Sequence, residues 1–260
     1  MAGETDSVLF ARRGSAAWIT LNRPQLRNAL DAATMRLLAK ALRDAERSDA
    51  RSIVLTGAGG NFCAGGDVTA DTSDEGYYQY TATFADGSDA IAALTKPLIV
   101  RAEGRATAFG MALTCMADIA VATHDTVFGT PEITHGMFPM MAMGPIAAEM
   151  GRKAAWRLFY GGELISGDDA MALGILTEVA NDTADLDARV ARWVERIEKA
   201  DPRPIAVGRK LFNDLLDTPR ADAVRLGGKG VLQLIALRRG TAPPLADYLK
   251  TDSSDPKKKG

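Results

Sequence analysis

Two glycine-rich segments have the composition needed to bind a polarised oxygen. The first elbow is residues 61–67, NFCAGGD, and the second elbow is residues 103–110, EGRATAFG. Each follows a short apolar run that predicts a strand and precedes a segment that favours a helix. A strand that turns into a helix N-terminus leaves backbone N–H groups without partners, and glycine lets a ligand approach them closely. Two facing elbows would offer two donors to one oxygen, which is the geometry of an oxyanion hole.

The same spacing also fits two ordinary strand-to-helix turns, and on spacing alone the two interpretations stand about even. Other reactive residues give little support for a nucleophile or a metal site. Cys63 is imaginable as a nucleophile, but no histidine lies near it in sequence, and small buried cysteines are common. The two histidines, His124 and His135, have no metal-ligand spacing, so no metal site is expected.

The elements that must position the elbows alternate between strands and helices. The pattern predicts an N-terminal hairpin at 8–10 and 17–21, and a helix that Asp31 caps and that runs to about Ser48. Such alternation implies parallel strands with crossover connections and an α/β core. The second half is almost entirely helical. The remaining predicted strands are 52–56, 98–102, 119–122, 127–129 and 176–179, and the remaining helices are one capped at 72–74, then 111–117, 145–150, 152–160, 170–173, 186–199, 205–216, 220–239 and a last short one at Pro243-Pro244.

Composition narrows the class of protein. The chain has 260 residues and a formal net charge of -2, so it can bury a good core and lacks the basic surface of a nucleic-acid binder. Its two cysteines argue against a disulfide framework and favour a reducing cytoplasm. No apolar stretch approaches a membrane span, and no signal-peptide apolar region is expected. Residues 251–260 read as a solvated, disordered tail.

The order of several short motifs is more specific than any one of them. The motifs are Ile19 to Pro24 with Asn28-Ala29-Leu30, Val54 to Gly57, Phe62 to Asp67, Lys96-Pro97, Ala117-Asp118-Ile119, Phe128 to Glu132 and Gly161 to Ser166. Over about the first two hundred residues this series resembles the crotonase (enoyl-CoA hydratase/isomerase) family.

The resemblance implies a fold and an assembly. The fold is a crotonase-like spiral of ββα repeats over residues 1–200, with a helical C-terminal assembly region over 201–250. The expected assembly is a homotrimer or a dimer of trimers. Apolar residues of the last helices are the expected interface, because a monomer surface shows fewer of them. These residues are Leu226, Val231, Leu234, Ile235 and Leu237.

The resemblance also implies an acyl-CoA thioester as substrate, with coenzyme A as part of the substrate and no separate cofactor. By position, Gly66 and Phe109 are the N–H donors to the thioester oxygen. Residues expected to contact the substrate are Arg27, Ala29, Ala64, Val68, Tyr80, His135 and Met140. An aromatic residue such as Tyr80 on a helix is more often part of a core.

The acid and base residues depart from the family pattern. Family hydratases commonly place one glutamate two residues beyond the second glycine run and another in the Pro-Glu pair. Here the first position is Ala112, whereas the second is retained as Glu132. A lone carboxyl in an apolar pocket, which Met-rich residues 133–143 would supply, has a raised pKa and exchanges protons near neutrality. The alternative interpretation of Glu132 is a structural carboxylate that caps the next turn. His135 either carries a second proton or lines the pocket.

Several functions fit this set of residues. A single glutamate suits isomerisation of an enoyl thioester without further assumption and does not exclude hydration. Decarboxylation or ring cleavage of a specialised acyl thioester is the alternative reaction, and a non-catalytic acyl-CoA-binding assembly subunit is the alternative class. Retention of Glu132 and of the first elbow favours an enzyme.

Overall fold

The computed structural model describes residues 7–67, Thr69, Asp71, 73–216 and 218–238. The chain divides into two compact units, and the boundary between them in the sequence lies between Pro202 and Arg203. The predicted core, assembly region and tail at 1–200, 201–250 and 251–260 stay a prediction. The tail and the helix expected at Pro243-Pro244 lie outside the described residues.

Two sheets form the framework of the first unit. The larger sheet has the strand order β1-β2-β3-β4-β6-β9, and the smaller has the order β5-β7-β8. In the larger sheet β1 is antiparallel to β2, and the other neighbours are parallel. The strands are β1 (Val8–Arg13), β2 (Ala16–Leu21), β3 (Ser52–Gly57), β4 (Leu98–Ala102), β5 (Arg105–Thr107), β6 (Ile119–Thr123), β7 (Val127–Gly129), β8 (Leu164–Ile165) and β9 (Glu178–Ala180).

Helices follow the strands and begin at the side chains that the sequence indicates. The Asp31 carboxylate accepts a hydrogen bond from the Thr34 N–H at 2.7 Å, and the Ser73 hydroxyl accepts one from Gly76 at 3.0 Å. Ser166 and Asp169 form a reciprocal capping box. The helices are α1 (Ala32–Arg47), α2 (Asp74–Ala92), α3 (Phe109–Cys115), α4 (Met143–Glu149), α5 (Arg152–Gly161), α6 (Gly167–Ala172), α7 (Thr183–Lys199), α8 (Pro202–Leu216) and α9 (Arg220–Arg238).

The chain winds as a spiral, which confirms the predicted fold. Each turn places one strand in the larger sheet and then one in the smaller, as β4 is followed by β5 and β6 by β7. After β3 the equivalent place is taken by Cys63, which forms a bridge to Ala106. The sequence analysis missed β5, because a three-residue strand inside a glycine-rich segment has no periodic signal and exists through its pairing with β7.

The core of the first unit lies between its sheets and helices. Met35, Leu38 and Leu42 on α1 are fully buried, as their helical spacing predicts, and Phe62, Phe84 and Phe128 fill the core around them. No described helix combines the length and the apolar character needed to cross a membrane.

In the second unit, α8 and α9 contact each other, since a Cβ added to Gly230 would lie 2.7 Å from Leu211. Several apolar side chains of α9 face solvent in the single chain. Val231, Ile235 and Leu237 are 54%, 40% and 49% exposed.

Candidate active site

Three successive passes of the chain run side by side and end at one edge of the smaller sheet. Cys63 pairs in parallel with Ala106 of β5, and β5 pairs in parallel with β7. Because parallel strands run in one direction, the residues that follow them emerge at the same edge. The residues brought to this edge are Gly66, Phe109 and Glu132.

The two elbows touch each other. A Cβ added to Gly65 would lie 2.5 Å from the Cβ of Ala108 and 3.4 Å from the Phe109 nitrogen. One added to Gly110 would lie 2.1 Å from the Cys63 carbonyl oxygen. Ala108 itself has φ 53° and ψ -123°, a strained conformation for a residue with a side chain. This sharp turn starts α3 at Phe109.

Two backbone N–H groups at the elbows lack an acceptor among the described residues. Among the described residues, neither the Gly66 N–H nor the Phe109 N–H has a hydrogen-bond acceptor. Their neighbours are bonded, since the Asp67 N–H donates to the Leu30 carbonyl and the Ala108 N–H to the Gly129 carbonyl, both at 2.8 Å. Phe109 is the first residue of α3, where helical N–H groups have no acceptor in a preceding turn.

Glu132 stands beside these donors on a short 3₁₀-helix, Pro131–His135, that follows β7. The bond from Ala108 to Gly129 ties the second elbow to the strand that leads to it. The Oε2 atom of Glu132 is buried without a hydrogen-bond partner among the described residues. Burial raises the pKa of Glu132, and a hydrogen bond from its own backbone N–H offsets this in part. Such a carboxyl is suited to take up and release protons as an acid–base group.

The methionine-rich segment after Glu132 is more open than expected. Met137 and Met140 are 51% and 76% exposed in the single chain, and His135 is exposed as well. Side chains with so much surface in solvent do not form the apolar pocket that the sequence led us to expect. The binding roles of His135 and Met140 stay predictions.

An aromatic row connects the two elbows. The ring of Tyr80 on α2 lies 4.3 Å from that of Phe84, and Phe84 lies 4.6 Å from the ring of Phe109 with edge-to-face geometry. The bulky side chain of Phe109 is therefore buried against α2, and its N–H is not blocked. At the other end of the row the Tyr80 hydroxyl lies over Gly66, where an added Cβ would be 1.6 Å from it.

The loop before α1 joins the first elbow. The Ala64 N–H donates to the Arg27 carbonyl at 2.9 Å, and Leu30 pairs with Gly66 in an isolated bridge. Arg27 and Ala29 are thus close to Ala64, as their shared predicted role requires. Val68, predicted with them, lies outside the described residues.

Asn28 and Arg23, whose contacts sequence reasoning missed, hold this loop in place. Asn28 is 1% exposed with φ 58°, and its Nδ2 donates to the carbonyls of Ala58 and Asn61 at 2.9 and 2.6 Å. Its Oδ1 accepts from the Arg23 N–H at 2.8 Å. An asparagine a few residues after Asn-Arg-Pro was the available signal, because asparagine tolerates positive φ.

The Arg23 guanidinium links the loop to the residue after Gly66. It donates to the Ala29 carbonyl at 2.6 Å and pairs with Asp31 at 3.1 Å and Asp67 at 3.3 Å. Its side chain is largely buried, so the pairs hold the first elbow and the cap of α1 in a fixed relation.

Other reactive groups have no evident role. Cys63 is fully buried and burial raises its thiol pKa to about 12, so it does not supply a thiolate. Ala112 is fully buried on α3 and brings no carboxyl group. In the described part of the chain, no cluster of three or more His, Cys, Asp and Glu side chains is placed to hold a metal.

Comparisons with known proteins agree with this architecture. A model of the enoyl-CoA hydratase/isomerase family matches residues 11–230. The probable enoyl-CoA hydratase of Rhizobium meliloti (strain 1021) is 34% identical over 177 residues, covering 67% of this chain and 68% of that protein. The mitochondrial enoyl-CoA hydratase domain-containing protein 3 of Rattus norvegicus is 28% identical over 229 residues, covering 85% and 75%.

Solved structures of enoyl-CoA hydratases match the chain over more of its length. A crystal structure of an enoyl-CoA hydratase from Mycobacterium smegmatis matches with a TM-score of 0.85 and 32% identity, covering 94% of this chain and 96% of that one. By its motifs, its spiral of strands and these likenesses, the chain belongs to the enoyl-CoA hydratase/isomerase, or crotonase, family.

Proposed function

We propose that the protein acts on the double bond of an enoyl-CoA thioester, with Glu132 as its single acid–base residue. One observation supports this above the others: a buried carboxyl oxygen without a partner stands beside two adjoining elbows whose N–H groups are free among the described residues. The thioester carbonyl oxygen accepts hydrogen bonds from Gly66 and Phe109, which stabilise the enolate that forms when charge moves onto that oxygen.

Glu132 then transfers one proton in either of two reactions. In isomerisation the carboxylate removes a proton from the carbon next to the carbonyl of a 3-enoyl thioester. The same proton returns to the fourth carbon, so the double bond moves and the atoms are conserved. In hydration the carboxylate takes a proton from water while the hydroxyl oxygen bonds to the third carbon. That proton returns to the second carbon as the enolate collapses.

Ala112 favours isomerisation of the two. Hydration benefits from a second carboxyl to hold the attacking water, and the buried methyl of Ala112 provides none. Isomerisation needs only the proton that Glu132 itself carries. The sequence relatives named as hydratases keep hydration as the second candidate.

Replacing Glu132 by Gln tests the proposal, because glutamine keeps the shape of the side chain and cannot exchange the proton. General acid–base catalysis contributes about 10²–10⁴-fold, and turnover is expected to fall by that factor. The measurements are isomerisation of a 3-enoyl-CoA, hydration of crotonyl-CoA, and exchange of deuterium into butyryl-CoA. The matched control is Glu149→Gln, since burial also raises the pKa of Glu149. Activity of Glu132→Gln within a few-fold of the parent would place the chemistry elsewhere, with His135 the first residue to test.

The substrate contacts, the assembly and the cellular location are part of the same proposal. The substrate carries its own coenzyme A, and Arg27, Ala29 and Ala64 are the proposed contacts on the loop beside the first elbow. We expect a trimer-based assembly. The small number of cysteines favours the cytoplasm, while the rat relative is mitochondrial by name.

A further inference from the structure

The hydroxyl group of Tyr80 is a donor at the candidate site without an acceptor in the described protein. Tyr80 is 9% exposed, and no hydrogen bond involves its hydroxyl among the described residues. A hydroxyl that is held at the site without a protein acceptor is available to donate to an acceptor on a bound ligand.

The position of the hydroxyl points to the ligand that supplies this contact. It lies against Gly66, 1.6 Å from where a Cβ would be, and Gly66 is the proposed donor of the first elbow. The charges of Asp67 and Glu132 also act on it. The hydroxyl thus lies in the region where the reacting end of a thioester would enter.

Packing fixes the ring that carries this hydroxyl. The Tyr80 ring packs on Phe84 in a tilted arrangement, and Phe84 packs on Phe109, the other proposed donor residue. A fixed donor needs no reorganisation when charge develops on the substrate, which is the condition for electrostatic stabilisation. Burial, and then the neighbouring negative charges, raise the pKa of Tyr80, so the group stays a protonated donor.

We infer that the Tyr80 hydroxyl donates a third hydrogen bond to the thioester carbonyl oxygen, beside the N–H groups of Gly66 and Phe109. This inference rests on the proposed function. It makes Tyr80 a catalytic residue for enolate formation, and it adds stabilisation at the oxygen in a site where Ala112 provides no second carboxyl.

Tyr80→Phe removes the hydroxyl and keeps the ring packed on Phe84. The exchange of deuterium into butyryl-CoA and the isomerisation of a 3-enoyl-CoA are expected to slow at least fivefold in kcat, with a smaller change in KM. Tyr78→Phe is the matched control, since Tyr78 is on the same helix and 67% exposed. The thermal midpoint of both variants is measured to confirm that the fold is intact.

A second readout separates this inference from the proposed function. With butyryl-CoA labelled with ¹³C at the carbonyl, difference infrared spectra report how strongly the bound carbonyl is polarised. The shift of the carbonyl stretch is expected to be smaller in Tyr80→Phe than in the parent or Tyr78→Phe. Equal shifts and a change in kcat below fivefold would overturn the role of Tyr80. A parent that binds butyryl-CoA with a polarised carbonyl but neither exchanges its protons nor isomerises would refute the proposed function instead.

Discussion

At the scale of single residues, Glu132 combines two demands that oppose each other. Its carboxyl must carry charge to remove a proton, yet its Oε2 atom is buried without a partner in the described chain. The folded protein therefore holds the Glu132 proton more tightly than the unfolded chain does, because burial raises its pKa. The same shift that suits proton transfer must lower stability when the group ionises.

Glu132→Gln is accordingly expected to stabilise the protein in a pH-dependent way. The folded state binds more protons than the unfolded state between the ordinary glutamate pKa and the raised one, so stability falls as pH rises through that window. The gain in Tm from Glu132→Gln should be near zero below the ordinary pKa, grow through the window, and level off above it.

Thermal unfolding from pH 4 to pH 8 checks this prediction. Glu195→Gln is the control, and its change in Tm is expected to have the opposite sign. The hydrogen bond from Lys199 holds the pKa of Glu195 below its usual range. A Tm difference for Glu132→Gln that is the same at every pH would contradict the burial of its charge.

The sequence predicts candidate site residues more directly than the packing around them. Glu132 and the glycines of the elbows stand out in the sequence because the motif spacing is local and strict, and their roles stay predictions. The hydroxyl of Tyr80 over Gly66 was not found, because the two residues meet only through the packing of α2 on the first elbow. The apolar pocket expected around Glu132 does not include Met137 and Met140, which are exposed in the single chain. An apolar composition alone does not determine which side chains turn inward.

At the scale of elements, the loop before α1 depends on one side chain. Asn28 makes three hydrogen bonds to backbone groups of Arg23, Ala58 and Asn61 and has a positive φ. It thereby joins the segment that leads from β3 to the first elbow with the turn after β2. Alanine at this place would lose all three bonds in a conformation that alanine disfavours.

Asn28→Ala is expected to lower the free energy of unfolding by about 3 kcal/mol, taking about 1 kcal/mol for each lost hydrogen bond. The urea or thermal midpoint should fall clearly. Asn181→Ala is the control at an exposed position and should stay within about 0.5 kcal/mol of the parent. An Asn28→Ala variant as stable as this control would show that water replaces the three bonds.

Prediction of elements from sequence succeeded where the signal is local. The start of α1 at Asp31 and its end before Ser48 were predicted from a cap and a helical spacing. The short strand β5 was missed because its pairing partner β7 lies distant in sequence, and the 3₁₀-helix that carries Glu132 was missed because so short a segment has no periodic signal. The spiral as a whole was predicted from the ordered motifs, since composition alone indicates only an α/β protein.

At the scale of the whole molecule, the exposed apolar face of α9 bears on assembly. Val231 and Ile235 are one helical turn apart and are 54% and 40% exposed in the single chain. Apolar side chains on one face of a surface helix are typical of a contact between subunits. The trimer-based assembly itself stays a prediction.

Light scattering of the parent at micromolar concentration is expected to give three times the monomer mass or a multiple of it. Val231→Lys combined with Ile235→Lys should shift the mass toward the monomer, because buried lysines in an apolar interface are costly. Gln233→Lys adds charge at an exposed polar position of the same helix and should leave the mass unchanged. A monomeric parent would refute the assembly.

The burial of both cysteines makes the chain convenient for chemical labelling. Cys63 and Cys115 are the only thiols in the sequence, both are buried, and burial raises the pKa of each. Maleimide and iodoacetamide reagents attack accessible thiolates, so the native protein presents no competing target to them. A single cysteine introduced on the surface would become the unique attachment point for a fluorophore or spin label, and the two native cysteines need not be removed.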